Sequence, residues 1–430
     1  MRYRSTRGGV EDCGFVDAVL MGLAPDRGLL VPKTIPKVDE ATLKKWSKLP
    51  FAALATEIIS LYIDESEISR AELEQLTKTA YSNWRSDHVT PVHHLDGDYH
   101  LLELFHGPTY AFKDVALQFL GVLFELIPVW KSTSELGYPE KYCLTFVNLH
   151  AIEPTRSRGQ RRVDGLETPR HQADATTETA SRRWRGAPEI RFPHRLILTK
   201  KPKGQERLTI IGATSGDTGS SAIAGVRGKE GVECFILYPE NRTSPIQEAQ
   251  MCAYDDENVH ALALRGACFD DCQKIVKGLF ADQQFHARHS LGAVNSINWA
   301  RIVAQIVYYF YASFQVDSAP VFSVPTGNFG DVLAGWYAKE MGCACRGLVV
   351  ATNANDILAR FFASGTYSRP PAAVETLAPS MDICVSSNFE RFVFHCSGND
   401  ATQTKALMDQ FEKTGAFTCL LYTSPSPRDA

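Results

Sequence analysis

The sequence predicts an α/β protein in which a core with a parallel sheet follows a mainly helical N-terminal domain. From Leu208 onward, short apolar segments alternate with longer segments that have helical apolar spacing. This alternation is typical of parallel strands joined by helical crossovers. Residues 41–82, in contrast, repeat apolar positions at helical intervals. We therefore divide the chain into an N-terminal domain over residues 1–95 and an α/β core over residues 96–418.

The elements follow in chain order. In the N-terminal domain, residues 11–21 predict a helix, APDRG a turn, GLLVP a strand and residues 41–82 further helices. The predicted strands of the core are LTIIG, ECFILYP, VHALAL, PVFSVP and GLVVATN. Its predicted helices are SSAIAGV, SPIQEAQM, DDCQKIVKGLFADQQF, SINWARIVAQIVYYFYASF, GDVLAGWYAKEMG and NDILARFFASG. Ligands of open α/β sheets bind beyond the carboxyl ends of the strands, so the loops there are the candidate site.

The composition excludes several classes of function. The formal net charge of −4 is too small to indicate a nucleic-acid partner or a membrane surface. The sequence has no apolar run long enough to cross a bilayer, and its first residues lack the apolar centre of a signal peptide. The 11 cysteines have no CxxC spacing, which favours free thiols in a reducing cytosol. We expect a cytoplasmic protein without a metal site.

Two segments do not fit the α/β pattern. An insertion at about residues 133–202 includes an arginine-rich stretch over 151–195 without periodicity, which indicates a disordered loop rather than a nucleic-acid or localisation patch. Near the end, AFTCLLY has a helix-like composition and is followed by TSPSPRDA. We interpret residues 419–430 as a non-native tail.

Two loops after predicted strands are suited to anions. GATSGDTGSS, from Gly212 to Ser221, follows LTIIG, and PTGNFGD, from Pro325 to Asp331, follows PVFSV. Their small residues let the backbone approach a ligand, and each loop leads into a helix whose N-terminus favours an anion. The alternative for the first loop is a plain turn with Ser215 and Thr218 as N-caps, and for the second a turn whose Asp331 favours the helix N-terminus.

A single lysine completes the pattern. Lys113 lies in FHGPTYAFKD, between aromatic residues and an acid, where burial of an uncompensated ammonium would be costly. It is either a surface lysine or a covalent attachment point. A lysine that binds an aldehyde, one loop that holds a phosphate and one that holds a substrate anion together describe a site for pyridoxal 5'-phosphate, PLP.

Several longer segments carry a resemblance to a known family. They are HGPTYAFKDVALQFLG, GATSGDTGSSA, ILYPENRTSPIQEAQM, NSINWARIVAQ, PTGNFGDVLAGWYAK, ATNANDILARFF and SSNFERF, in that order. Together they resemble threonine synthases of the fungal type, which are fold-type II PLP enzymes. The resemblance implies conversion of O-phospho-L-homoserine and water to L-threonine and phosphate, through γ-elimination and β-addition.

The resemblance also implies roles for particular residues. Lys113 matches the lysine that carries the cofactor as a Schiff base, and Tyr110 and Phe112 would give it a dry setting that lowers its pKa. The cofactor phosphate would be held by Gly327, Asn328, Phe329, Gly330 and Asp331. The substrate would be bound by Ser215, Gly216, Asp217, Thr218 and Thr109. Arg301 and Arg391 are further candidates for the substrate phosphate.

The chain departs from the family pattern in two places. The insertion lies where family members have a short connection, and family members continue past the end of this chain. The resemblance therefore predicts that a C-terminal part is missing, including the hydroxyl partner of the pyridine nitrogen. Two alternatives to threonine synthase follow, namely a truncated inactive fragment of the PLP fold and a related fold-type II phospho-lyase.

Overall fold

The computed structural model describes residues 1–126 and 208–419. Its helices are α1 (Phe15–Met21), α2 (Glu40–Trp46), α3 (Phe51–Ser60), α4 (Arg70–Ala80), α5 (Asp114–Leu126), α6 (Asp217–Val226), α7 (Pro245–Cys252), α8 (Phe269–Ala281), α9 (Gln283–His289), α10 (Trp299–Ser313), α11 (Gly330–Met341), α12 (Ile357–Ser364), α13 (Phe389–Cys396) and α14 (Ala401–Thr414). Its strands are β1 (Tyr3–Ser5), β2 (Leu30–Pro32), β3 (Val92–Asp96), β4 (Tyr99–Leu102), β5 (Leu208–Ala213), β6 (Val232–Pro239), β7 (Val259–Leu264), β8 (Leu291–Gly292), β9 (Val321–Pro325), β10 (Gly347–Ala351), β11 (Thr366–Ser368) and β12 (Ala416–Thr418).

The predicted parallel sheet is confirmed. Four strands pair in the order β7-β6-β5-β8, and every pairing among them is parallel. Strands β9 and β10 form a second parallel pair, separate from the first sheet within the described residues. The strands β5 and β9 end at Ala213 and Pro325, directly before the two glycine-containing loops. The sheet topology therefore places each loop at the carboxyl end of a strand, as expected for a ligand site.

Helix α10 is the central helix of the molecule. It is apolar on most of its surface, and all its residues except Tyr311 are buried. A helix that is apolar around its circumference must be covered on every side. Asn298 starts it by accepting a hydrogen bond from the backbone N–H of Ala300, at 3.0 Å. Helices α3, α5 and α11 pack against it, so α10 connects the N-terminal elements to the α/β core.

The N-terminal elements share one hydrophobic core with the rest of the chain. The ring of Trp299 lies 5.8 Å from Tyr3, 5.7 Å from Tyr62 and 5.2 Å from Tyr337, measured between ring centroids. The division at residue 95 stays a prediction, although this residue lies inside β3. Because aromatic side chains bury large apolar areas, this cluster fixes the N-terminal elements onto α10.

Some predicted elements differ from the observed ones. The long helix predicted over DDCQKIVKGLFADQQF is divided at Asp282, which has an extended backbone between α8 and α9. The prediction of a helix-like segment at AFTCLLY is wrong, because Ala416–Thr418 forms β12, which pairs antiparallel with β11. Cys419 is 5% exposed and donates its N–H to Gly365 O, and the start of the non-native tail at this residue stays a prediction. The insertion at 133–202 and the rest of the tail lie outside the described residues.

Helices α5 and α6 approach each other closely at Gly121 and Gly225. A Cβ placed on Gly121 would overlap the carbonyl oxygen of Gly225, and one placed on Gly225 would stand 2.5 Å from Leu117 O. Only glycine at both positions allows the two backbones to approach this closely. The first residue of α6 is Asp217, and α5 begins directly after Lys113, so this contact positions two candidate site residues.

We predict that Gly121→Ala destabilises the protein by about 1–3 kcal/mol, because the added methyl group forces α5 and α6 apart. Urea denaturation of the variant and the parent protein measures this change. Gly347→Ala is the matched control, since a Cβ there would meet no atom closer than 3.8 Å. Equal destabilisation by the two substitutions would contradict the argument from the close contact.

Candidate active site

The centre of the site is an ion pair between Lys113 and Asp217. Lys113 Nζ donates to Asp217 Oδ1 at 2.6 Å, and the two side chains are only 9% and 13% exposed. Burial lowers the pKa of Lys113, against the opposing effect of Asp217. Burial alone would raise the pKa of Asp217, but Lys113 and Ser380 lower it below its ordinary value. The structure thus shows Lys113 as a buried, paired ammonium rather than a surface lysine.

Asp114 holds the loop that presents Lys113. Its carboxylate accepts hydrogen bonds from the backbone N–H and the hydroxyl of Thr109, both at 2.7 Å. The hydroxyl of Thr109 also lies 2.8 Å from Ser221 Oγ in α6, and its carbonyl accepts from Gln250 Nε2 at 3.1 Å. Thr109 is therefore a support of the lysine loop in this structure, and substrate contact by its side chain stays a prediction.

The loop between β5 and α6 is shaped by Thr214 rather than by the predicted caps. Thr214 Oγ1 accepts from the backbone N–H groups of Gly216 and Gly219, at 3.0 Å and 2.9 Å. The N-cap position of α6 is Gly216, so the interpretation of Ser215 and Thr218 as N-caps is wrong. Ser215 is exposed and Thr218 partly exposed at the surface of the loop, where binding of a substrate stays a prediction.

The second loop runs from Gly327 to Asp331, and we call it the phosphate cradle after its predicted role. Phe329 has a φ of 63°, and the 12-residue helix α11 begins at Gly330. A Cβ on Gly327 would stand 2.7 Å from Ile383 Cδ1, so a larger residue here would have to displace the end of that side chain. Backbone N–H groups at a helix N-terminus are suited to a phosphate. The site role of these five residues, including Asn328, remains a prediction.

The side chain of Asp331 does more than favour the N-terminus of α11, because it also binds two tyrosines of α10. Its Oδ1 accepts hydrogen bonds from the hydroxyls of Tyr308 and Tyr309, at 2.6 Å and 2.7 Å. Burial raises the pKa of this carboxyl group, while the two hydroxyls oppose the shift. Asp331 thereby ties the start of α11 to α10, and only its backbone is left to contribute to the phosphate cradle.

The segment over residues 379–388 links the two loops, and sequence reasoning missed its role. Ser380 Oγ donates to Asp217 Oδ2 at 2.7 Å, while Met381 and Ile383 lie against Gly327. Ser386 Oγ donates to the Gly327 carbonyl at 2.5 Å. The segment therefore contacts the lysine–aspartate pair and the phosphate cradle at once. The motif SSNFERF was noticed in the sequence, but its first residues gave no chemical signal of this contact.

Two aromatic neighbours of Lys113 differ in their positions. Phe112 has its ring centroid 5.5 Å from Lys113 Nζ, close enough to exclude water. Tyr110 is 60% exposed, and its ring lies under the guanidinium of Arg85, at 3.7 Å. The expectation that Tyr110 shields the lysine is therefore wrong, because a φ of 60° turns its side chain toward the surface.

The structure also distinguishes between Arg301 and Arg391, the two candidates for binding the substrate phosphate. Arg391 is fully buried, and its guanidinium donates to Leu30 O at 3.0 Å, to Ile297 O at 2.7 Å and to Asn388 Oδ1. Because the N–H groups of Arg391 bind acceptors in three segments of the fold, Arg391 is no longer a candidate for binding the substrate phosphate. Arg301 is also buried, its guanidinium donates to Val294 O at 3.1 Å, and the charge of Asp217 partly opposes the lowering of its pKa by burial.

Comparison with known proteins agrees with this geometry. The family model described as threonine synthase N terminus matches residues 2–81, and the model of pyridoxal-phosphate dependent enzymes matches residues 174–405. The threonine synthase of Saccharomyces cerevisiae is 46% identical over 405 residues, which cover 91% of this chain and 66% of the relative. The crystal structure of yeast threonine synthase superimposes with a TM-score of 0.76 at 42% identity, and covers 98% of this chain and 74% of that one.

A PLP-bound threonine synthase from Brucella melitensis gives a TM-score of 0.77 at 37% identity, over 97% of this chain and 75% of that protein. This chain belongs to the threonine synthase family. The predicted fold-type II PLP architecture is confirmed with it. The chain spans 66% of the length of its curated fungal relatives.

The residues of this threonine synthase family member fit the family's cofactor. Lys113 offers an amine that burial makes easier to deprotonate, as covalent attachment to an aldehyde requires. The narrow cradle at Gly327 offers backbone N–H groups for a phosphate. In the part of the chain that the structure describes, no helix has the length and apolar character needed to span a membrane.

Proposed function

We propose that the chain carries out the threonine synthase reaction, converting O-phospho-L-homoserine and water to L-threonine and phosphate with PLP. The observation that supports it most directly is the buried Lys113–Asp217 pair at 2.6 Å, between two loops at strand ends. The family relationship supports this choice of substrate. We expect the protein to act in the cytoplasm on this small molecule, without nucleic acid or membrane.

Lys113 would hold the cofactor's aldehyde carbon, and the backbone from Gly327 to Asp331 would hold its phosphate. When bound, PLP would supply an electron sink for the negative charge that develops on the substrate carbon beside the amine. The chain itself supplies proton transfer and orientation. Once deprotonated, Lys113 Nζ is a base, and burial favours this neutral form by lowering its pKa.

Asp217 would control where the proton of Lys113 resides. Its Oδ1 accepts from Lys113 Nζ, while its Oδ2 is held by Ser380 at 2.7 Å. This orients the carboxylate and keeps the lysine in one position before a ligand enters. Because both groups are largely shielded from water, the proton is held between defined atoms rather than exchanged freely with solvent.

The charge of Asp217 narrows its predicted role in substrate binding. A carboxylate would repel a phosphate or a carboxylate of the substrate, so its contact with the ligand would be through the lysine or through the substrate amine. The hydroxyls of Ser215 and Thr218 are better suited to the anionic groups, whereas the backbone N–H of Gly216 already donates to Thr214 Oγ1. We propose this division of the loop into one acidic position and two hydroxyl positions.

The second candidate function is a related phospho-lyase of the same fold, since the described site would accept other phosphorylated amines. Phosphate release from O-phospho-L-homoserine, with L-threonine identified chromatographically, separates the two. We expect equal amounts of phosphate and threonine. Release of phosphate without threonine would favour the lyase, and no release from PLP-loaded protein would contradict the proposed function.

A further inference from the structure

Residues 386–388, directly before α13, bind the main-chain carbonyl groups of the phosphate cradle. Ser386 Oγ donates to the Gly327 carbonyl at 2.5 Å, and the backbone N–H of Asn388 donates to the Asn328 carbonyl at 3.0 Å. The side-chain Nδ2 of Asn388 donates to the same Asn328 carbonyl, at 3.2 Å. Both lone pairs of that oxygen are therefore used, and its direction is fixed.

These hydrogen bonds also fix the direction of the N–H groups in the cradle. The described residues contain no cis peptide bond, and in a trans peptide the C=O and N–H groups lie on opposite sides. Since the Gly327 carbonyl faces Ser386, the N–H of Asn328 points away from it. In the same way, the N–H of Phe329 points away from Asn388. Within the described part of the chain neither N–H donates to an acceptor, so both are free for a ligand.

The backbone of Phe329 depends on the same neighbours. Its φ of 63° lies in the left-handed region, which residues other than glycine adopt only where the surroundings enforce it. The buried ring of Phe329 packs edge-on against Phe389, with 5.2 Å between the ring centroids. Phe389 follows Asn388 and begins α13. These two residues thus hold the carbonyl before Phe329 and its side chain, and keep the turn in one conformation.

The amide group of Asn388 is itself held in one orientation. Arg391 Nη1, which can only donate, binds Asn388 Oδ1. The Nδ2 group therefore faces the carbonyl groups of Asn328 and Ser296, and lies 3.0 Å from the latter. Arg391 Nε in turn donates to Leu30 O in β2. Asn388 is fully buried, so water does not compete for these bonds.

The first turn of α13 is also anchored to the N-terminal elements. Glu390 accepts from Thr6 Oγ1 at 2.6 Å and from two guanidinium nitrogens of Arg7, at 3.0 Å and 2.8 Å. A carboxylate bound by an arginine through two nitrogens has a defined geometry. Residues 386–388 therefore start from a helix that is fixed independently of the cradle.

We propose that Ser386 and Asn388 are positioning residues for the cofactor phosphate, because they bind the carbonyl groups of the cradle and so point its N–H groups at the phosphate of PLP. The inference rests on the proposed function for the cofactor and for the role of the cradle. A loop that is ordered before binding loses less conformational entropy when the ligand arrives. The two residues thus increase the affinity for the phosphate without contacting it.

The test compares PLP with pyridoxal, the same aldehyde without the phosphate. The cofactor-free full chain is titrated with each compound, and the Schiff-base absorbance measures both affinities. Because both compounds offer the same aldehyde to Lys113, the ratio of the two affinities reports on the phosphate alone. A variant with a general defect in folding would weaken both compounds and leave this ratio unchanged.

Two variants and one control are needed. Asn388→Asp keeps the size of the side chain and the acceptor for Arg391, but removes the Nδ2 donor. Ser386→Ala removes one hydroxyl donor and decides the outcome if Asn388→Asp does not fold. Ser397→Ala is the matched control, since its hydroxyl also donates to a main-chain carbonyl, that of Phe394 at 2.8 Å, but at the other end of α13.

We expect Asn388→Asp to weaken PLP binding by about 10- to 100-fold and Ser386→Ala by about 3- to 10-fold, the range for loss of a buried hydrogen bond. Pyridoxal affinity should stay within about twofold of the wild type in both variants, and Ser397→Ala should leave both affinities unchanged. An unchanged ratio of PLP to pyridoxal affinity would overturn the proposal. Equal weakening of both compounds would also overturn it, because the two residues would then only stabilise the fold.

The same titrations separate this inference from the proposed function. If the variants lose the wild-type preference for PLP but the wild type forms no threonine from O-phospho-L-homoserine, the inference stands and the assigned reaction is wrong. If the wild type forms threonine and both variants keep its preference for PLP, the reaction stands and the inference fails. A wild type that binds PLP no more tightly than pyridoxal would show that the cradle does not hold the phosphate, and the inference would fail with it.

Discussion

Lys113→Ala is expected to abolish covalent attachment of PLP and to reduce turnover to background. The substitution removes the amine that the structure places against Asp217, and proton transfer by a positioned side chain contributes about 10²- to 10⁴-fold to a rate. Borohydride reduction followed by mass spectrometry of the peptide that contains residue 113 measures covalent attachment independently of activity. Lys113→Arg should also lack covalent PLP and turnover, because a guanidinium is not deprotonated in proteins.

The control for this prediction is Lys405→Ala. Lys405 lies on α14 with a half-exposed side chain and pairs with Asp409 at 2.6 Å, so its loss removes a lysine without touching the site. This variant should retain cofactor and turnover. Covalent PLP on another lysine of Lys113→Ala, with activity retained, would show that Lys113 is not the attachment point. A folded Lys113→Ala protein, verified by its thermal transition, is required for the comparison.

Asp217→Ala is expected to give the second large effect, a loss of about 3–5 kcal/mol in the free energy of unfolding. The substitution leaves the buried ammonium of Lys113 without its partner at 2.6 Å and leaves Ser380 without an acceptor. Urea denaturation of the cofactor-free protein measures it. Adding Lys113→Met to Asp217→Ala should recover much of the loss, because no unpaired charge then remains.

The pH dependence gives an independent check on the same pair. The pKa of Asp217 is lower in the folded protein than in the unfolded chain, where aspartate has a pKa of about 3.9. The contribution of Asp217 to the free energy of unfolding is therefore fully present above a pH of about 3.9. It is lost as the pH falls through the pKa that Asp217 has in the folded protein. Asp217→Asn should lack this acid-dependent loss. A wild-type protein with the same acid profile as the variant would contradict the assigned pair.

The exposed pair Lys405–Asp409 is the control for these measurements. Its side chains are 51% and 39% exposed, so solvent screens the attraction between them. Asp409→Ala should leave the unfolding transition nearly unchanged. Similar destabilisation by Asp217→Ala and Asp409→Ala would mean that burial of the Lys113–Asp217 pair has no energetic consequence.

Much of the architecture was predictable from local sequence patterns. The strands LTIIG and ECFILYP and the helix SPIQEAQM form where their apolar periods place them. Short-range signals also mark helix starts, such as Ser244 before Pro245. Less regular elements were not predictable in the same way. Strand β12 lies in a segment with helix-like composition, and its pairing with β11 decides its conformation.

The sequence by itself determined the fold class and the family, and it singled out Lys113 as a candidate, because these depend on periodicity and on contiguous motifs. Only the tertiary structure decided which groups surround Lys113. Ser380 lies 163 residues from Asp217 along the chain, so their contact has no local signal in the sequence. Tyr110, two residues before Phe112, faces the surface instead of the lysine. Charge pairing and burial are properties of side chains brought together by packing, and sequence proximity does not determine them.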